Sequence, residues 1–262
     1  MSRLFAWSLA AVTAAALAFL ALPLVALFAR VTPDRLFAQL ADPVVRDALL
    51  VTAKTNAIAQ ALVLAVGTPA AYALARRFPG RSVLVTLVEL PLVLPPAVAG
   101  IGLLAAFGRT GLLGLGVSFT QTAVVLAVAF VSSPFYVRAA IAAFEGVDPG
   151  IVDAARTLGA GPARVFVRVA LPLAARGLAA GFALALARGI GEFGATLMFA
   201  GSLRGRTQTL SLAIYAEFAR DFDVALALGA LLVLCSLVLL LALKLRWTAF
   251  PSLWPLRSAR SA

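Results

Sequence analysis

DAARTLGAGPARVFVRVALP, at residues 153–172, is a polar, glycine-punctuated stretch between two strongly apolar segments. Asp148 and Pro149, just ahead of it, predict the start of a helix, because Asp caps free N–H groups and Pro has no N–H to leave unpaired there. Gly159 predicts the end of this helix, in the left-handed conformation. Such a short amphipathic helix is typical of a segment that docks onto another protein.

A second short helix is predicted to follow, opened by Pro162 and ended by Pro172. Val165, Phe166 and Val169 would form its apolar side. The two helices, joined by glycines, would make a compact projection within the loop 144–172. The alternative interpretation is an ordinary amphipathic loop that lies on the lipid headgroups.

The composition places the chain in a membrane. Hydrophobic residues make up 63% of the sequence, charged residues 13%, and the mean hydropathy is +1.03, all far from the averages of soluble proteins. We therefore predict an all-α, polytopic membrane protein with one domain, residues 1–262, and about six transmembrane helices. The predicted spans, each close to the length that a crossing requires, are residues 4–29, 55–75, 90–108, 110–137, 177–200 and 224–243.

The net charge of +11 reflects topology better than nucleic-acid binding, since the basic residues flank the spans and form no stripe interleaved with aromatic residues. Lys and Arg accumulate in cytoplasmic loops. Placing the N-terminus and the C-terminus in the cytoplasm puts most of them on that side. The same orientation places the loop 144–172 in the cytoplasm.

The sequence offers little for catalysis. It has no His, a single Cys at position 235 and only eleven acidic residues. No His-based acid–base chemistry, disulfide or zinc site follows from such a set. We expect no metal, no cofactor and no enzymatic activity in this chain.

The third predicted span contains three prolines within six residues, Pro91, Pro95 and Pro96, followed by Gly100. Proline removes a backbone donor and should kink or break the helix. Freed backbone groups are tolerated at membrane depth only against protein or a water-filled cavity. These residues are candidates to line a pathway; a simple packing kink is the alternative.

The fifth predicted span carries small residues at every fourth position, from Gly177 to Gly189. Such stripes let helices approach closely in lipid, either in a moving element or in a static packing seam. Arg188 and Glu192 lie four residues apart, so they can pair, and the high cost of a lone charge turns them toward the bundle interior. They could form a structural ion pair or line a gate.

The loop 144–172 resembles that of permease subunits of bacterial ABC importers, whose pattern is Glu-Ala-Ala, three residues, Gly, nine residues, Ile, one residue, Leu-Pro. In this sequence Asp153 stands for the Glu and Val169 for the Ile. The resemblance implies a type I permease fold and a loop that couples the permease to a cytoplasmic ATPase. It also implies a homodimer with two ATPase copies, which would bind the ATP and magnesium. The coupling residues it implies are Asp153, Ala154, Ala155, Gly159, Leu171 and Pro172.

Residues 91–100 and 189–201 are similar to the third and fifth spans of molybdate permeases. This resemblance implies molybdate import by alternating access in the inner membrane, with an extracytoplasmic oxyanion-binding protein as partner. A sulfate or tungstate permease is the alternative within the family; an ion-coupled secondary transporter and a membrane-bound enzyme are the alternatives outside it. The pathway and gate residues it implies are Pro95, Pro96, Gly100, Arg188, Gly191, Glu192, Phe193, Gly194 and Thr196.

Overall fold

The computed structural model describes residues 3–248, which contain helices and no strand. A π-helical segment, Phe166–Ala170, joins the eighth and ninth helices. The helices are α1 (Arg3–Arg30), α2 (Pro33–Ala41), α3 (Pro43–Leu74), α4 (Arg81–Val93), α5 (Pro96–Phe107), α6 (Gln121–Glu145), α7 (Pro149–Thr157), α8 (Pro162–Val165), α9 (Leu171–Ile190), α10 (Gly194–Ala200), α11 (Leu210–Phe218) and α12 (Phe222–Thr248).

Within residues 3–248, five helices are long and apolar enough to cross a membrane, and the bent pair α4 and α5 makes a sixth if it is one span. The helices that qualify alone are α1, α3, α6, the continuous helix Pro162–Ile190, and α12. The all-α, six-span prediction is therefore confirmed. The predicted cytoplasmic C-terminus lies outside the described residues.

Helix α6 is the centre of the bundle and packs against α3, α9 and α10. Small residues make this possible, because Ala123, Ala127 and Ala140 are fully buried and let neighbouring backbones come close. The glycine stripe of α9 packs against α6. A Cβ built on Gly177 would lie 2.5 Å from Ala143 Cβ, and one on Gly181 would lie 2.7 Å from Ala139 Cβ. The stripe is therefore a packing seam.

The predicted span 110–137 is wrong in its first third. Residues 108–120 form a loop, and α6 begins only at Gln121, capped by the Thr120 hydroxyl, which accepts from Ala123 N. Gly114 and Gly116 have positive φ angles of 59° and 63°, a conformation that a helix cannot contain. Hydropathy alone did not distinguish this apolar loop from a helix.

The predicted span 177–200 and the predicted second short helix are also corrected. One helix runs from Pro162 to Ile190, so it does not end at Pro172, and residues 162–172 of the predicted loop belong to this helix. The π-helical segment gives the reason: Leu171 N donates to Phe166 O, five residues back. This wider turn precedes Pro172 and gives room for its ring, which would otherwise press on the preceding helical turn.

Candidate functional site

Helix α7 begins and ends at the residues that the sequence indicated. Asp148 Oδ1 accepts from Gly150 N at 2.8 Å, and Pro149 occupies the first turn. At the other end Gly159 has φ +82°. Its N–H donates to Arg156 O, and the N–H of Ala160 donates to Ala155 O. These two hydrogen bonds define a Schellman motif. The predicted caps are confirmed.

The surface of α7 is unusually apolar for a polar loop. Leu158 is 87% exposed and Ile151 is 46% exposed. Asp153 and Arg156 pair on the surface, with 3.0 Å between Oδ1 and Nη1. Exposed apolar side chains beside an ion pair are compatible with a contact surface. Ala154, Gly159 and Pro172 are exposed too, whereas Leu171 is half-buried.

Three aromatic rings pack together where the π-helical segment meets α3 and α6. The ring of Phe166 lies 4.7 Å from that of Tyr72 in α3, and the Tyr72 ring lies 5.2 Å from that of Phe144 in α6, between centroids. The guanidinium carbon of Arg76 lies 4.9 Å from the centroid of the same Tyr72 ring. Helix α7 contacts the π-helical segment that carries Phe166, and the packed rings link that segment to α3 and α6.

The three prolines of the third span break it. Helix α4 ends at Val93, and α5 starts at Pro96 with its axis turned by 114°. Leu94 and Pro95, which each precede a proline, have extended ψ angles of 132° and 133°, as the clash with the following proline ring demands. The helix is therefore interrupted here and not simply kinked by packing.

The fifth span breaks at the same place in the bundle. After α9, Gly191, Glu192 and Phe193 leave the helix and α10 begins. Helices α5 and α10 then touch. A Cβ on Gly100 would lie 2.6 Å from Ala195 O, and one on Gly194 would lie 2.9 Å from Pro96 Cβ. The two broken spans therefore pack backbone against backbone.

Arg188 and Glu192 form the predicted ion pair. Arg188 Nη2 lies 2.7 Å from Glu192 Oε2, with side chains 26% and 1% exposed. Within residues 3–248 that oxygen accepts no well-aligned hydrogen bond. The other carboxylate oxygen, Oε1, accepts from Ala195 N at 2.7 Å, so Glu192 caps the first turn of α10. The pair thus joins the end of α9 to the start of α10.

The remaining predicted gate residues are not all in one place. Thr196 is completely buried, and its hydroxyl has no hydrogen-bond partner within residues 3–248. Phe193 turns toward α11, where its ring lies 5.1 Å from that of Tyr215. Gly191 is exposed. The structure brings together Pro96, Gly100, Gly194 and the ion pair; Phe193 and Gly191 lie at its edge.

A buried polar cluster was missed from sequence. Gln60 of α3 lies in the bundle with Nε2 3.3 Å from Ser132 Oγ of α6 and 3.3 Å from Ala185 O of α9. Asn56 lies beside it, and Gln60 Oε1 has no hydrogen-bond partner within residues 3–248. The signal was available, since side-chain amides inside an apolar span usually face other helices.

No cluster of three or more His, Cys, Asp or Glu side chains suited to a metal ion occurs in the described part of the chain. The predicted coupling and gate residues are instead apolar, small or paired. Their arrangement fits two mechanical elements, an exposed docking helix and a contact between broken spans.

Known proteins resemble the chain over most of its length. The family described as binding-protein-dependent transport system inner membrane component matches residues 63–246. A Mycobacterium tuberculosis protein named molybdenum transport system permease protein ModB is 45% identical over 243 residues, 88% of this chain and 91% of the relative. The Escherichia coli protein of the same name is 42% identical over 178 residues, 64% of this chain and 78% of the relative.

The fold is also found in a solved structure of a bacterial alginate ABC transporter in complex with its pentasaccharide-bound periplasmic protein. That chain has a TM-score of 0.73 and 15% identity, with 93% of this chain and 92% of the other covered. The match supports the fold alone, whereas the matched residues 63–246 include α7 and both broken spans. The chain belongs to the family of binding-protein-dependent transport system inner membrane components, the permease subunits of ABC importers.

Proposed function

We propose that this chain is the permease of a molybdate importer, working as a homodimer with two copies of a cytoplasmic ATPase. The observation that carries the transport role is the contact between α5 and α10, where two broken spans meet through glycines. The 45% identity to proteins named as molybdenum permeases supports the cargo.

The mechanism that fits this arrangement is alternating access. ATP binding draws the ATPase subunits together, and α7 of each permease moves with its ATPase. The ring cluster of Tyr72, Phe144 and Phe166 passes this movement to α3 and α6. The contact between α5 and α10 then opens on the outer side, and hydrolysis returns it to the inward state.

The charges at the contact between α5 and α10 suit an anion that is transported and not tightly bound. A site that held a dianion tightly would not release it, so conduction requires weak sites. Arg188 is already neutralised by Glu192, 2.7 Å away, so it attracts an oxyanion only weakly. Selection is then the task of an extracytoplasmic binding protein, for which Arg204 and Arg206 of the outer loop are candidate contacts.

The distribution of Lys and Arg supports a cytoplasmic N-terminus and a cytoplasmic loop 144–172, and the family of the chain supports localisation in the inner membrane. ATP and magnesium belong to the ATPase in this proposal, and the permease itself makes and breaks no covalent bond. Purified alone, the chain should hydrolyse no ATP.

Uptake in proteoliposomes tests the proposal. The chain is reconstituted with its ATPase and binding protein, and entry of radiolabelled molybdate is measured with ATP or with a non-hydrolysable analogue. We expect uptake with ATP only, and competition by unlabelled molybdate and tungstate but not by sulfate. Uptake that persists without ATP and collapses with an ion gradient would contradict it. Stronger competition by sulfate would make the chain a sulfate permease.

A further inference from the structure

A cavity of about 400 Å³ lies beneath α7, on the side that faces the spans. Its walls come from the end of α3, the end of α6 and one side of α7, and the aromatic rings of Tyr72 and Phe144 form part of them. The volume equals that of roughly a dozen waters at about 30 Å³ each. The cavity is separate from the contact between α5 and α10 and from the exposed apolar surface of α7.

The charges that line this cavity are mostly positive. Arg76 and Arg77 come from the segment that follows α3, and Arg156 comes from α7, against a single acid, Asp153. Asp153 already pairs with Arg156. Two elements therefore direct an excess of positive charge into one space.

Arg76 and Arg77 differ in the contacts that their guanidinium groups already make. Arg76 lies over the Tyr72 ring, with Cζ 4.9 Å from the centroid, a contact that uses none of its N–H donors. Arg77 has no hydrogen bond or ion pair with any residue of 3–248. Guanidinium groups donate two parallel N–H bonds to tetrahedral oxyanions, which makes Arg the residue suited to such ligands.

Ordinary topology does not account for the convergence. The positive-inside rule requires only that basic residues lie on the cytoplasmic side. Arg164, Arg168 and Arg176 meet that requirement without lining this cavity. Both sets of arginines are exposed, so the difference between them is position and not burial. Arg76, Arg77 and Arg156 surround one space from two sides, the segment that follows α3 and helix α7.

We propose that this cavity binds a tetrahedral oxyanion through Arg76, Arg77 and Arg156. Two sources share this chemistry: the phosphate group of an anionic phospholipid, which basic pockets between membrane helices commonly hold, and a free oxyanion from solution. A ligand held by both α7 and the segment that follows α3 ties the docking helix to the spans. Its occupancy therefore sets how firmly movement of α7 is transmitted.

The test uses the purified full-length chain in nanodiscs. In phosphatidylcholine alone, binding of radiolabelled inorganic phosphate and of radiolabelled molybdate is measured by equilibrium dialysis. In equal parts phosphatidylcholine and phosphatidylglycerol, retention of phosphatidylglycerol after extraction is measured by native mass spectrometry. Arg77→Gln is compared with Arg176→Gln, which removes the same charge from an exposed site on α9 outside the cavity.

Losing a charged hydrogen-bonding partner should weaken the bound species roughly tenfold in Arg77→Gln, with no change in Arg176→Gln. Binding of the free anions in phosphatidylcholine identifies a soluble ligand. Retention of phosphatidylglycerol with no binding of the free anions identifies a lipid. The proposal is overturned if neither species binds, or if both substitutions weaken binding equally. Transport plays no part in these measurements, so the result is independent of the proposed cargo.

Discussion

The coupling segment and the gate region use glycine for opposite reasons. Around Gly159 nothing lies within 4 Å of a Cβ, yet φ is +82°, so the backbone conformation excludes other residues. At Gly100 in α5 the backbone is ordinary helix, but a Cβ would lie 2.6 Å from Ala195 O. One position requires a conformation and the other requires space.

This difference shows what each region contacts. Helix α7 and its C-terminal end present Ile151 and Leu158 to the outside, which supports the proposal that another protein completes this surface. The contact between α5 and α10 is closed within the chain, and its charges are satisfied by a pair within the same region. Substitutions should therefore disturb assembly at α7 and the permease itself at the contact between α5 and α10.

Gly100→Val should have the largest effect. The new side chain collides with backbone atoms of α10, which cannot rotate away as a side chain could, so the two helices must separate. We expect a loss of about 3 kcal/mol or more in stability, seen as low membrane expression and no molybdate uptake.

Gly102→Val is the matched control, because it lies in the same helix and nothing lies within 4 Å of its Cβ. Its expression should remain near that of the wild type. Equal damage from both substitutions would mean that valine is harmful anywhere in α5, and the proposed close contact with α10 would be wrong.

Substitutions in the ion pair should have the next largest effect, and the two single substitutions should destabilise the chain unequally. Arg188→Gln leaves the Glu192 carboxylate almost fully buried without its partner, whereas Glu192→Gln leaves an arginine that is 26% exposed and can reach water. We expect a loss of about 2–3 kcal/mol for Arg188→Gln and less for Glu192→Gln. Membrane expression and thermal unfolding in detergent measure this.

The double substitution separates pairing from transport. Removing both charges should restore expression relative to Arg188→Gln, and molybdate uptake should stay low if Arg188 also attracts the cargo. Additive losses from the two single substitutions would exclude the pairing. Full uptake by the double variant would exclude a pathway role for Arg188.

Gly159→Val should have a smaller effect on the chain and a selective one on assembly. A β-branched residue at positive φ costs about 1–2 kcal/mol, which the exposed end of α7 can relieve by losing its Schellman turn. We expect normal membrane insertion but little ATPase in co-purification. Gly161→Val is the control, since Gly161 has φ −66° and open space around its Cβ, and it should keep the partner.

Asp148→Ala should have the smallest effect. It removes the oxygen that accepts from Gly150 N, and loss of such a cap costs about 1 kcal/mol. ATPase affinity should fall severalfold, as measured by titrating the ATPase onto the reconstituted permease. Asp148→Asn, which keeps an accepting oxygen, should behave like the wild type; the same fall with Asn would show that the charge matters and the cap does not.

Local signals predicted α7 well because its caps depend on neighbouring residues alone. Asp148 and Gly159 specify its ends without any tertiary contact. The break at Pro95 was also predictable, since proline restricts the residue before it. The ion pair followed from spacing within one turn.

Features that depend on tertiary contacts were not predictable in the same way. The apolar loop 108–120 has the hydropathy of a span, although the positive φ angles of Gly114, Gly116 and Phe119 exclude a continuous helix. Continuation of the helix past Pro172 depends on a π-helical turn that no composition rule indicates. The contact of Gly100 with Ala195 joins residues far apart in sequence.

Measuring assembly and transport on the same preparations of Gly159→Val and Glu192→Gln tests the division between docking and gating most directly. Each variant is purified with the ATPase, the bound ATPase is quantified, and ATP-driven molybdate uptake is then measured in proteoliposomes. We predict that Gly159→Val loses the ATPase and uptake together, whereas Glu192→Gln keeps the ATPase and loses uptake. Wild-type ATPase binding and uptake by Gly159→Val, or loss of the ATPase from Glu192→Gln, would contradict the account.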